Sequence, residues 1–156
     1  MKKYIPLAVL VVIIFISSSQ SYEQQSIVPT LQQLFPNQPL KEFLSLFHIP
    51  YWGIEVSVAE RGYYYFLEFS IRKTMHMLSF GAIAIALYIA LYPKKWRYFY
   101  ALLLTFVLAS ADELHQSFTS GRTATMSDVW LDTVGGFILL TLFVGIISLF
   151  KKRIRR

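Results

Sequence analysis

Apolar residues along this chain collect into four runs separated by polar, charged stretches. The runs are Ile5 to Ser17, Met77 to Tyr92, Tyr98 to Ala111 and Val129 to Phe150. A helix needs about 20 residues to cross a hydrocarbon layer, with a lower limit near ~17. The second, third and fourth runs reach that length when their aromatic or polar ends are counted, the third only just. The first is close to a signal-peptide core in size, with Lys2 and Lys3 in front and ISSSQS behind. It lacks a clear A-x-A cleavage pattern, so we read it as a retained helix. The pattern therefore predicts spans over approximately 4–19, 74–92, 96–112 and 129–150 in one domain, 1–156, with an outer loop over 20–70.

Charge then fixes an orientation. Lys2 and Lys3 precede the first run, Lys94, Lys95 and Arg97 lie between the second and third, and Lys151, Lys152, Arg153, Arg155 and Arg156 follow the fourth. These are ten of the 15 basic residues, and no acidic residue accompanies them. Basic loops stay on the cytoplasmic side. Four spans with both termini inside satisfy every loop at once, and all nine acidic residues then fall outside or in the outer ends of helices. The net charge of +6 is thus a topology signal, and no nucleic-acid partner is implied.

The outer segment carries its own pattern. Leu40, Phe43, Leu44 and Phe47 form a helical stripe in PLKEFLSLFH, with Asn37 as a plausible N-cap, Pro39 in the first turn and Pro50 as a stop. This predicts an amphipathic helix at the membrane surface or over the bundle. The aromatic stretch YWGIEVSV and the cluster Tyr63 to Phe66 suit a membrane–water interface. His48, beside Pro50, reads as structural. The fold class expected is all-α: an integral membrane bundle of four transmembrane helices, with an extracytoplasmic amphipathic helix between the first and second. Composition agrees, at 55% hydrophobic and 15% charged. There are no cysteines, so disulfides and thiolate metal sites are excluded.

The chemistry sits where the apolar runs meet the outer side. Arg72, Lys73 and His76 open the second span, and His76 can share a helix face with each of the other two. Asp112, Glu113, His115 and Gln116 close the third. Asp112 shares a face with His115 and Gln116, while Glu113 points about 100° away. Asp128 and Asp132 lie on one face at the start of the fourth, followed by Gly135 and Gly136, and Arg122 comes from the intervening turn. Ionisable groups at the lip of a hydrocarbon layer are costly and usually functional. One reading is an ion-pair network, with Arg72, Lys73 and Arg122 neutralising the carboxylates. Another is a ligand or catalytic site, in which crowded carboxylates supply an acid or base and Arg122 with Lys73 holds an anion. A metal site built from His76, His115, Asp112 or Asp128 is chemically reasonable. The spacing matches no standard zinc pattern such as H-E-x-x-H, and no metal or other cofactor is assigned.

The chain resembles the VanZ-like family of small bacterial membrane proteins. The resemblance rests on R-K-x-x-H at Arg72 to His76, D-E-x-H-Q-x-F at Asp112 to Phe118, G-R at Gly121-Arg122, and S-D-V at Ser127 to Val129 with Asp132 and Gly135-Gly136. Ser120 stands where the family usually has proline, and Asp132 where it often has asparagine. The resemblance implies a cytoplasmic-membrane protein that lowers susceptibility to teicoplanin-type glycopeptides, and it brings no established reaction. Membrane lipids, a lipid-linked wall precursor or a lipoglycopeptide are the partners this points to.

Three functions follow from the sequence. The first is an envelope factor acting on how a drug or wall precursor sits at the membrane. The second is an enzyme acting on a lipid-linked or phosphate-bearing substrate. There Asp112 or Glu113 is the base, His115 the proton carrier, and Lys73, His76, Gln116, Arg122, Asp128 and Asp132 the ligand-binding set. The third is a scaffold using Gly135 and Gly136 as a contact face.

Overall fold

In a computed structural model, which describes residues 2–51 and 53–154, four helices form an antiparallel bundle with a small lobe at one end. One 3-10 turn, Lys2–Tyr4, leads into α1 (Ile5–Ser18), which has Pro6 in its first turn, where a missing N–H costs nothing. The other long helices are α5 (Tyr63–Ala90), α6 (Arg97–Gln116) and α7 (Met126–Ile154). Between α1 and α5 lie three short helices, α2 (Val28–Leu34), α3 (Lys41–Leu44) and α4 (Val58–Arg61). A two-stranded antiparallel hairpin, β1 (Ile49–Tyr51) and β2 (Ile54–Val56), sits between α3 and α4.

The bundle core is built from Phe80, Ile83, Ala84 and Leu87 of α5, Ala101 and Ala109 of α6, and Val129 and Leu140 of α7. α1 contributes the half-buried Leu7, Leu10, Val11 and Ile14. The opposite faces are also apolar and are exposed: Val9, Val12 and Ile16 on α1, Leu103 and Val107 on α6, and Phe137, Leu142 and Ile146 on α7. Apolar surface continued around a bundle is what a hydrocarbon solvent requires. α5 and α7 are each long and apolar enough to cross a membrane.

Three glycines let α5, α6 and α7 approach closely. A Cβ on Gly81 would fall inside the side chain of Leu139, one on Gly135 would meet the Met77 backbone, and one on Gly136 would lie 2.9 Å from Thr105 Cγ2. Close backbone approach of this kind is how helices associate where lipid removes the hydrophobic drive.

The lobe corrects the sequence reading in several places. The architecture is mostly but not wholly helical, because Ile49–Tyr51 and Ile54–Val56 pair as a hairpin, with Gly53 at φ +72. Ile54 and Val56, on alternating positions, carried the strand signal. The amphipathic helix shrinks to the four residues of α3, and Asn37 does not cap it. Gln38 and Leu40 flank Pro39 with φ of +48 and +60, outside the right-handed helical region, so the helix can begin only at Lys41. Leu40, Phe43 and Phe47 remain exposed. α2 went unforeseen in a segment read as polar loop.

α5 starts at Tyr63, well before residue 74, so the last residues of the 20–70 segment are helical. Gly62 at φ +82 separates α5 from α4, which Ser57 caps by accepting from Glu60 N at 3.2 Å. The early turns of α5 pack inside the lobe: Tyr63 and Phe66 are buried with Val56 and Val58. The Tyr63 and Tyr64 hydroxyls donate to the Pro39 and Phe35 carbonyls at 2.9 and 3.0 Å. Only Tyr65 of that cluster is well exposed.

The glycine contacts give a direct test. Gly135→Ala should lower the stability of the detergent-solubilised protein by about 1–3 kcal/mol, since the Met77 backbone cannot yield as a side-chain tip would. Gly145→Ala, which meets nothing within 4 Å, should stay within about 0.5 kcal/mol. Thermal unfolding of the two variants side by side measures the contrast.

Candidate anion-binding site at the shared end of the bundle

Antiparallel packing brings the end of α1, the third turn of α5, the end of α6 and the start of α7 to one level. Thr119 Oγ1 donates to Ser18 O at 3.1 Å, tying the turn after α6 to the end of α1. Thr125 is the joint between α6 and α7. Its N–H donates to Glu113 Oε1 at 2.6 Å, and its Oγ1 accepts from Asp128 N at 3.2 Å, capping α7. Asp128 then stands in the first turn, where the helix dipole favours a carboxylate.

A cavity of about 200 Å³ opens here, lined by residues that include Arg72, Lys73, His76, Glu113, Arg122 and Asp128. Lys73 Nζ donates to Asp128 and to Tyr51 Oη, the latter at 2.6 Å, and Tyr51 itself donates to Asp128. Burial first, and then the Asp128 carboxylate, push the Tyr51 phenol well above its ordinary value, so it remains a donor. His76 Nδ1 lies 3.4 Å from Asp132 Oδ2. The hairpin thus reaches into the site through Tyr51, and α5 and α7 meet there through two charge pairs one helical turn apart.

Two arginines are held differently. Arg72 Nη2 donates to Gln25 Oε1 at 3.0 Å, and Arg122 Nη2 donates to the same oxygen. Arg122 Nη1 donates to Gln116 Oε1 at 2.7 Å. Gln25 is anchored in turn by Nε2, which donates to Ser17 Oγ at 2.9 Å. Arg72 Nη1 is 3.6 Å from Glu68 Oε1, beyond hydrogen-bond distance. Glu68 is wholly buried and is committed to Ile27 N at 3.0 Å and Ser26 Oγ at 3.3 Å. Arg122 has no carboxylate within ion-pair distance among the described residues. Arg72 Nη1 and Arg122 Nε are buried N–H groups with no acceptor there. Burial first, and then the neighbouring Arg72, lower the Arg122 pKa from the usual arginine value. Asp112, Glu113 and Asp128 act in the opposite direction, and a guanidinium does not lose its proton in proteins, so Arg122 stays charged.

The structure gathers only part of the expected constellation. Lys73, His76, Glu113, Gln116, Arg122 and Asp128 line one cavity. Asp132 stands behind His76, with Oδ1 buried and unpartnered. Asp112 accepts from Gln116 Nε2 at 2.7 Å. His115 is on the α1 side, where its ring stacks on Phe15 at 4.5 Å and Nε2 lies 3.0 Å from Ser19 Oγ. Of the two candidate bases, Glu113 does not meet the proton carrier His115, because two residues along α6 turn them about 200° apart; Asp112 borders the same apolar gap as His115 and is held by Gln116. His48 pairs with Glu55 at 2.5 Å on the exposed hairpin, away from the cavity. No group of three His, Asp or Glu side chains converges as metal ligands do among the described residues. The residues that sequence reasoning missed are Gln25, Tyr51, Tyr22 and Glu68. All four lie in the segment read as outer loop, and Tyr22 lies under the Arg72 guanidinium at 4.5 Å.

A helical bundle with two helices of membrane-crossing length and a polar cavity at one end defines a class of small membrane protein. The VanZ/LLP1 family model matches residues 4–150, and the chain belongs to that family. No curated protein and no solved structure matches it.

The Lys73–Asp128 pair can be tested by double substitution. Asp128→Leu should cost roughly 2 kcal/mol, below the ~3–5 kcal/mol of a fully buried pair because Lys73 is 27% exposed. Lys73→Met combined with Asp128→Leu should recover much of that loss, since no lone charge is left behind. Unfolding of the two single variants and the double variant gives the coupling.

Proposed function

We propose that this protein is a four-span membrane protein of the bacterial envelope, with both termini cytoplasmic, that binds an anionic group at its outer end. Through that site it lowers susceptibility to teicoplanin-type glycopeptides. The observation that carries the reading is Arg122: a half-buried cation beside a cavity, held by two neutral amides and pressed against a second arginine. Such an arrangement is stable in water-poor surroundings when an anion completes it. Family membership supports the link to glycopeptides. The charge distribution supports the topology, as does helix length. At about 1.5 Å per residue α5 is about 42 Å long, against roughly 30 Å of hydrocarbon, so its first turns extend past the membrane with the lobe.

A binding role fits better than a catalytic one because His115 is turned away from the cavity that holds Glu113 and the arginines, and Asp112 beside it is engaged by Gln116. A strain lacking this gene is complemented with the original chain, Arg122→Gln or Glu113→Gln, at matched membrane abundance. The original should protect against teicoplanin and not against vancomycin, Arg122→Gln should fail, and Glu113→Gln should retain most protection. Full protection by Arg122→Gln would remove the anion site from the function. Loss with Glu113→Gln alone would favour the enzyme instead.

Topology is checked independently in the same membranes. The chain has no cysteine, so single cysteines report cleanly. An impermeant thiol reagent applied to intact cells should label Gln33→Cys and spare Lys95→Cys. The reverse result would place the cavity in the cytoplasm and overturn the outer site.

A further inference from the structure

A second gap adjoins the arginine cavity. It lies between α1 and α5, has a volume of about 220 Å³, and shares His76 with the cavity above it. Its walls change character with depth. Ser17 and Ser18 of α1 with Met75 and His76 of α5 line it near the outer end, and Ile13, Ile14 and Ser79 line it further along. Ser18 is completely buried, yet its Oγ has no hydrogen-bond partner among the described residues. A buried hydroxyl without a partner is costly, and Ser18 is one of the residues that border this gap. On the far side Met75 is exposed, so the gap reaches the bundle's outer, hydrocarbon-facing surface.

Donors and apolar walls are therefore arranged in one line. Arg72 Nη1 and Arg122 Nε come first, both buried and without acceptors. His76 stands at the junction, Ser18 follows with Met75 at the exposed side of the same level, and the isoleucines and Ser79 come last. Each nearby carboxylate has a hydrogen-bond donor or partner of its own; Glu68 also lies within ion-pair distance of Arg72 Nη1 at 3.6 Å, and Arg122 has no carboxylate that close among the described residues. Glu68 takes Ile27 N, Asp112 takes Gln116, Glu113 takes Thr125 N, Asp128 takes Lys73 and Tyr51, and Asp132 faces His76. Two convergent guanidinium forks with a lysine beside them suit a tetrahedral phosphate, whose several oxygens can take several N–H donors.

We infer that the site takes a phosphate-bearing membrane lipid. Its phosphate sits between Arg72 and Arg122, its glycerol or ester oxygens reach Ser18, and its acyl chain leaves through the α1–α5 gap. This rests on the anion-binding reading above and adds the lipid class and its route. The gap opens sideways, so the lipid enters from the outer leaflet without leaving the bilayer.

The full chain in detergent micelles is titrated with inorganic phosphate, dioleoyl phosphatidic acid or dioleoyl phosphatidylcholine. Thermal shift reads stabilisation, and native mass spectrometry counts retained lipid. Phosphatidic acid should bind at least about tenfold more tightly than either other probe, a difference of one decade in Kd. Arg122→Gln should lose about tenfold for phosphatidic acid. Met75→Trp places a large ring at the gap from an exposed, fold-tolerant position. It should weaken phosphatidic acid and leave inorganic phosphate unchanged.

If inorganic phosphate binds as well as phosphatidic acid, and Met75→Trp affects neither, the lipid inference fails while the anion site stands. If neither probe binds, both fail. Phosphatidic acid binding that survives Arg122→Gln undiminished would place the lipid elsewhere and overturn the inference.

Discussion

The close approach of α5 and α7 at Gly135 is the constraint on which the site depends. With no Cβ, Gly135 rests against the Met77 backbone, one residue beyond His76. That contact fixes both rotation and register between the two helices. One turn earlier on α7, Asp132 is then placed against His76, and another turn back Asp128 is placed against Lys73. A larger residue at Gly135 would separate the helices and pull both pairs apart. Packing and electrostatics are therefore one feature here: small residues set the spacing, and the charges use it.

The lobe supplies what the bundle cannot. Four helix ends alone would leave Lys73 and the two arginines facing water. Tyr51 from the hairpin and Gln25 from the segment before α2 bring hydroxyl and amide groups to them. Lys73 also has Asp128 and Arg72 has Glu68 at 3.6 Å, whereas Arg122 is held by neutral amides that do not cancel its charge. Tyr51 keeps its proton because burial and Asp128 both disfavour a phenolate. The site is thus preorganised by dipoles, which leaves positive charge available to something else.

Much of this was legible along the chain, for particular reasons. The helices show as apolar runs, and their ends carry charge because the hydrocarbon layer rejects it, so spacing alone brought Lys73, His76, Glu113, Arg122 and Asp128 to one level. The split within DELHQ was also legible. Asp112 and His115 share a face and Glu113 lies about 100° away. The structure turns the His115 face toward α1 and Glu113 toward the cavity. Treating all three as one catalytic group ignored that geometry. Gln25 and Tyr51 were not legible, because their place is decided by how an irregular segment folds back over the bundle. The hairpin was hidden for a related reason: in an aromatic stretch beside a membrane, period-two alternation and interface enrichment look alike. The short α3 reflects backbone conformations at Gln38 and Leu40 that the stripe of leucines and phenylalanines does not reveal.

An ion-pair network that only fixes helix register would pair each charge and leave no donor over. Lys73 with Asp128 fits that description, and so does His76 with Asp132. Arg122 does not. Five carboxylates lie in this region, yet its guanidinium is met by Gln25 and Gln116. Gln25 and Gln116 each also donate through Nε2, to Ser17 and to Asp112, so both serve as bridging amides and neither brings a negative charge to Arg122. Neutral partners leave the positive charge to be met by something that comes and goes. The same logic applies to Ser18, whose hydroxyl is buried where an alanine would pack at no polar cost. A register lock explains the α5–α7 pairs. It does not explain a second layer of cations and a hydroxyl that the protein itself leaves short of partners.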